Sequence, residues 1–176
     1  LHACWHGGFV AVPLEPGLPK VRLEAIALAA SPKAAVAVGA QARALVQAAG
    51  VERLVEEGGA SEGEEEFGSG GEPTSPLRID GSALAAIYFT SGSTGQAKGV
   101  PYTRDAVDVF ARYWRERLEL SGADSVAWAL PMAHAPSLIP LGSAMAAGAV
   151  LLAVPEAVAA LGERAAESLR GATVLA

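Results

Sequence analysis

Residues 88–100 read Tyr88-Phe89-Thr90-Ser91-Gly92-Ser93-Thr94-Gly95-Gln96-Ala97-Lys98-Gly99-Val100, and an apolar run at 85–89 feeds into them. That run is short and bounded by turn formers, which predicts a buried strand. Gly92, Gly95 and Gly99 permit positive φ and close backbone approach. A loop of this composition turns several N–H groups toward one point and makes a concavity for anions. The hydroxyls of Thr90, Ser91, Ser93 and Thr94 add donors, and Lys98 adds a mobile positive charge. The stretch is built to hold a polyphosphate.

The spacing excludes a Walker A loop, which needs G-x-x-x-x-G-K-[ST] with a helix starting at the lysine. Here Gly99 follows Lys98, and the chain runs on through Val100, Pro101 and Tyr102. Proline at 101 disfavours helix at Val100. The expected arrangement is strand–loop–strand.

From Thr90 to Gly99 the sequence matches, without a gap, the pattern [ST]-[ST]-G-[ST]-[ST]-G-x-[PA]-K-G. It resembles the phosphate loop of the adenylate-forming superfamily, which includes acyl-CoA synthetases, nonribosomal peptide synthetase adenylation domains and luciferases. A second, weaker match supports the first. Gly8, Val12, Pro13, Leu14 and Pro16 occupy the places of the family's G-x-x-x-V-P-[LI]-x-P element.

The resemblance implies an α/β fold, with mostly parallel sheets flanked by helices, and a chain that is an incomplete piece of the large N-terminal domain. Within it, 1–55 form a first βα block, 56–77 a flexible acidic loop, and 78–176 the block that carries the phosphate loop. The implied reaction activates a carboxylic acid as its acyl-adenylate with ATP. CoA or a carrier-protein thiol is then the expected acyl acceptor. Thr90, Ser91, Gly92, Ser93, Thr94, Gly95 and Lys98 are the expected ATP-binding residues, with Lys98 and Thr94 acting on the reaction itself. Mg2+ is expected to bridge the phosphates through a protein ligand outside this chain. The family's aromatic-Gly-x-Thr-Glu loop, ribose-binding aspartate and C-terminal catalytic lysine are not found in these 176 residues.

Further along, Pro131 and His134 match a P-x-x-H element that in the family lies at a strand end near the acyl pocket. His134 is therefore the candidate pocket residue. Two departures stand out. Ala133 replaces the aromatic residue common before that histidine, and Thr103-Arg104-Asp105 stands where many relatives have a histidine.

The rest of the chain agrees with such a fold. At 176 residues and 51% apolar it can bury a substantial core. Residues 1–8 read as the last turn of a helix with a glycine C-cap. Residues 9–14 read as a short buried strand, 18–30 as a helix with Leu23, Ile26, Ala27 and Ala30 inward, and 34–38 as a strand. A helix at 41–49 and a strand at 51–55 follow. Alternation of this kind implies a parallel sheet. Beyond the phosphate loop, Thr103 is the expected N-cap of a helix at 104–120, with Val107, Phe110, Trp114 and Leu118 as its apolar stripe. Arg112–Glu116 and Arg115–Glu119 are its expected ion pairs. Strands at 126–130, 149–154 and 172–176 and helices at 138–147 and from Pro155 complete the order.

Charge and cysteine usage narrow the class. Seven of the acidic residues fall between Glu56 and Glu72, a stretch without Lys or Arg, and setting them aside leaves a nearly neutral body. That stretch has too few apolar residues to offset its ordering entropy, hence the expectation of a flexible loop. No basic cluster of the kind a nucleic-acid surface needs is present. The sole cysteine, Cys4, excludes an internal disulfide and fits a cytoplasmic protein. His2 and His6 lie four apart, but no further metal ligands accompany them. Residues 126–155 carry no charge, yet prolines and glycines cut them into elements too short to span a membrane. The rival reading is a non-catalytic module that keeps the fold and binds a nucleotide or partner. A different phosphotransferase is disfavoured by the absent Walker pattern.

Overall fold

The computed structural model describes residues 1–15, 17–37, 43, 46–47, 51, 53–56, 80–91, 97–154 and 169–175. Two compact units emerge. The first comprises 1–13, 79–88 and 101–176, the second 14–78 and 89–100.

The first unit opens with α1, His2–His6. Gly8 takes φ 76°, and the amides of Phe9 and Gly8 return to the carbonyls of Cys4 and Trp5 at 2.8 and 3.3 Å. This is the glycine-terminated helix end expected from the sequence, because only glycine enters the left-handed region without a Cβ penalty. The strand expected over 9–14 is reduced to a single parallel bridge between Ala11 and Ala86. Ala11 exchanges bonds with Ala85 and Ile87, both at 2.9 Å, while Phe9 and Val10 remain exposed. Pro13, two residues on, has no N–H with which to extend a ladder.

β3, Leu84–Ser91, pairs with β4, Ala97–Thr103. The Arg104 amide, just past β4, donates to the Ala83 carbonyl just before β3, so the end of one strand lies beside the start of the other. α3, Arg104–Arg117, starts where Thr103 Oγ1 accepts from the Ala106 amide at 3.2 Å. Its end comes three residues earlier than expected. Glu119 sits at φ 54°, and the Leu120 amide reaches back to Arg115 at 2.9 Å, turning Leu120 into the core. Of the expected stripe, Val107 and Leu118 pack against the core clusters, but Phe110 departs from it. Ala111 is the buried residue, whereas Phe110 is exposed. Ala111 opposes Gly142 of α4, Leu138–Ala147, where an added Cβ would stand 3.1 Å from the alanine methyl. Two small residues let these helices approach closely. Arg112 pairs back to Asp108 at 2.6 Å rather than on to Glu116. Glu119, outside the helix, is no longer in i,i+4 position for Arg115.

A three-stranded parallel sheet completes this unit. β5, Ser125–Trp128, lies between β6, Val150–Ala153, and β7, Val174–Leu175. Val126 faces Leu151 on one side and Val174 on the other. Strands with neighbours on both sides in a parallel sheet are buried, and Val126 and Ala127 are. The helix expected from Pro155 falls outside the described residues. One core cluster gathers Ala11, Ala86, Tyr88 and Leu138, and half-buried Cys4 packs against it. Another joins Leu120, Val126 and Ala144.

In the second unit α2, Lys20–Ala30, begins after Pro19, whose φ of −55° suits a helix entry. Leu23 and Ile26 are buried as expected, while Val21 and Leu28 are exposed. Ser31, in the left-handed region, donates its amide to Ala27 at 2.8 Å and closes the helix before Pro32. β1, Ala34–Ala37, pairs in parallel with β2, Arg53–Glu56. Of the helix expected at 41–49, Arg43, Val46 and Gln47 are described and helical; the rest, with the acidic loop at 57–76, lies outside the described residues. No described helix is long and apolar enough to cross a membrane.

Candidate nucleotide-binding site

The chain enters the candidate site along β3 and leaves along β4, so the two strands expected on either side of the motif are present, while residues 92–96 between them lie outside the described residues. Thr90 is exposed near the end of β3, followed by Ser91 as its last residue. Lys98 is the second residue of β4 and is exposed. Gly92, Ser93, Thr94 and Gly95 lie outside the described residues. Lys98 is the only charged residue between Gly81 and Thr103. An exposed hydroxyl and an exposed ammonium on paired strands form a donor set that fits phosphate oxygens.

Tyr88 and Tyr102, on the strands that flank the motif, both belong to the first unit. Tyr88, two residues before Thr90, is 2% exposed, and its ring meets that of Tyr102 edge-on, with centroids 5.5 Å apart. Tyr102 lies four residues after Lys98, so the pair clasps the incoming strand to the outgoing one. The Tyr88 hydroxyl is buried without a hydrogen bond of good geometry. Burial pushes its pKa above 10.0, and the neighbouring Ser137 hydroxyl offsets part of that rise.

Ser137 is itself fully buried and shapes the turn that carries His134. Its Oγ donates to the Met132 carbonyl at 3.2 Å and its amide to the His134 carbonyl at 2.9 Å. The His134 amide in turn donates to Pro131 at 3.0 Å. His134 is exposed and precedes the 3-10 turn Ala135–Ser137 that leads into α4. His134 thus belongs to the first unit, and Thr90 and Lys98 to the second.

Arg104, in the Thr103-Arg104-Asp105 stretch, does structural service. Its guanidinium donates to the carbonyls of Trp5 at 2.8 Å and Phe9 at 3.4 Å, while the Trp5 indole donates to Ala85 at 3.0 Å. A cavity of about 300 Å3 lies beside this joint, lined by Trp5, Arg104, Val107, Ala111 and Met145 among others. None of the described candidate site residues lines it. Among the described residues no group of three or more His, Cys, Asp or Glu could hold a metal ion.

The residues that sequence reasoning passed over are Tyr88 and Ser137. A signal was available in the first case. Ala86 and Tyr88 share one face of β3 by strand alternation, so a hydroxyl beside an inward alanine marks a polar group bound for the core.

The fold recurs in MatB from Rhodopseudomonas palustris, solved in its apo form, with TM-score 0.76 and 20% identity over 98% of this chain and 35% of that one. In sequence, the chain is 34% identical to the L-proline–(L-prolyl-carrier protein) ligase of Pseudomonas fluorescens, over 86% of this chain and 31% of that protein. It is 31% identical to the long-chain-fatty-acid–CoA ligase FadD13 of Mycobacterium tuberculosis over 40% of this chain and 14% of the ligase. The chain thus spans about a third or less of the curated relatives it matches. The family of AMP-binding enzymes matches residues 1–174, nearly the whole length, and the chain belongs to that family.

Proposed function

We propose that this chain is the ATP-phosphate-binding part of an enzyme that activates a carboxylic acid as its acyl-adenylate. In that reaction a carboxylate oxygen bonds to the α-phosphorus of ATP, the bond from that phosphorus to the β-bridging oxygen breaks, and pyrophosphate leaves. The observation that carries the reading is a gapless phosphate-loop motif set between two paired strands, in a chain of the AMP-binding enzyme family.

Thr90, Ser91, Gly92, Ser93, Thr94, Gly95 and Lys98 hold the β- and γ-phosphates in this reading. Negative charge grows on the departing pyrophosphate, so preorganised hydroxyl and N–H donors with Lys98 lower the barrier electrostatically. Thr94 and Lys98 contribute most directly. His134 faces the acid. Mg2+, held by a residue outside this chain, neutralises phosphate charge when bound. The acceptor is a thiol of CoA or of a carrier protein, and the printed names of the two curated relatives, a CoA ligase and a carrier-protein ligase, support that class. Such an enzyme works in the cytoplasm, where ATP and the thiol acceptor are at hand.

Carboxylate-dependent ATP–pyrophosphate exchange tests the reading. The full-length protein is expected to catalyse it with some panel acid, and residues 1–176 alone are expected not to. A full-length protein that binds ATP but exchanges no pyrophosphate with any acid of a broad panel would turn the reading toward a non-catalytic module.

A further inference from the structure

We propose that the cavity between α1, β3, α3 and α4 is a binding site for a small carboxylate with an apolar body, the carboxylate on Arg104 and the body against Trp5 and Met145. The proposal lies beyond the acyl-adenylate reading and does not depend on it. Every residue that lines the cavity belongs to the first unit.

Size and lining come first. At about 300 Å3 the cavity stands at the small end of ligand sites, which are mostly apolar with a few placed polar groups. Ala85, Ala111 and Gly142 contribute almost no side chain, and that leaves the room. Trp5 and Met145 form apolar wall, and a methionine adapts its shape to what it meets. The polar groups of this wall already engage one another. The Trp5 indole donates to the Ala85 carbonyl at 3.0 Å, and that carbonyl also accepts from the Ala11 amide at 2.9 Å.

Charge decides what kind of ligand fits. Two charged residues, Arg104 and Asp108, line the cavity. The Asp108 carboxylate is held by the Arg112 guanidinium at 2.6 and 3.2 Å, so its charge is already answered. Among the described residues Arg104 pairs with no carboxylate, and its guanidinium donates only to the carbonyls of Trp5 and Phe9. A carbonyl satisfies an N–H group but leaves the positive charge uncompensated, which is costly where the group is partly buried. Nε is enclosed and unpaired, so the Nη groups are those a ligand meets. They retain protons beyond the two already donated, and their planar fork matches a carboxylate. A small inorganic anion would answer the same charge but leave the apolar wall empty.

The test uses the full-length protein with phenylpropionate as the probe, read by NMR at the labelled methyl of Met145. A saturable shift of that methyl is expected. Neutral phenylpropionamide is expected to bind about tenfold more weakly or worse, the scale of one charge-assisted hydrogen bond. Arg104→Gln is expected to erase the preference for the acid. Because Arg104 also ties α1, a second variant keeps it in place. Ala146→Leu fills the cavity and is expected to abolish the Met145 shift, with thermal unfolding near that of the wild type. No saturable shift at Met145, equal affinity for acid and amide, or binding that survives Ala146→Leu would each overturn the proposal. A shift confined to Met132, two residues before His134, would also overturn it and place the probe in the acid pocket of the proposed reaction. The readout is binding alone, so pyrophosphate exchange judges the acyl-adenylate reading separately.

Discussion

The ring of Tyr88 stands edge-on to that of Tyr102, with centroids 5.5 Å apart and planes at 79°. One residue lies on the strand that enters the phosphate-loop motif and the other on the strand that leaves it. Edge-to-face pairs of this kind add about 0.5–1.5 kcal/mol beyond the area they bury. The clasp joins the two strands that flank the motif.

If the loop stabilises charge that develops as pyrophosphate departs, its donors matter more in the transition state than in bound ATP. Lys98→Ala and Thr94→Val in the full-length protein are then expected to cut the exchange rate by roughly a hundredfold each, as loss of one oxyanion-type donor does. KM for ATP should move far less. Exchange kinetics as a function of ATP decide the point, and a change confined to ATP affinity would make the loop a ground-state binder only.

His134 is exposed at the head of its 3-10 turn, where its side chain makes no cap hydrogen bond and its backbone bonds shape the turn. His134→Ala is therefore expected to leave the fold unchanged, raise KM for the acid several-fold and spare KM for ATP. Exchange measured against both substrates tests this. An equal effect on the two KM values would detach His134 from the acid.

Gly142 and Ala111 define how closely α3 and α4 pack, with 3.1 Å to the place of a new Cβ. Gly142→Val is expected to cost about 1–3 kcal/mol through overpacking. Gly142→Ala is expected to be near neutral, because the helix gains about 1 kcal/mol over glycine and that offsets the squeeze. Urea unfolding of the two variants gives the comparison. A valine variant as stable as the wild type would mean that the helices can part freely.

Asp124 accepts from the Ser121 amide and hydroxyl, both at 2.8 Å, and from the Thr173 hydroxyl at 2.9 Å. The backbone bond from Ser121 is the main cause that holds its pKa below the ordinary 3.8, and the two hydroxyls add to it. A depressed folded pKa means that the ionised form favours the fold. That contribution is complete above the unfolded value and is lost as pH falls from 3.8 through the folded value. Asp124→Asn should therefore be less stable than the wild type at neutral pH, with the gap closing in acid. Denaturation midpoints at neutral and acid pH show it; a gap that is constant with pH would remove the linkage.

The sequence alone determined the features that depend on neighbours in the chain. Thr103 starts its helix because its own side chain reaches the amide three residues on, and Gly8 ends one because it alone tolerates φ 76° there. The strand–loop–strand order around Lys98 was legible for the same reason, from Pro101 and from glycine spacing. The tertiary structure decided what depends on residues brought together from afar. Arg104 finds Trp5 across 99 positions, Trp5 finds Ala85 across 80, and Thr173 finds Asp124 across 49. It also decided which face of α3 turns inward. The apolar stripe pointed to Phe110, but only the glycine on the facing helix makes room, and it admits a backbone carrying alanine rather than a ring. Local pattern reports propensity and period, while burial is settled by the shape of the partner surface, and that surface is not written beside the residue it receives.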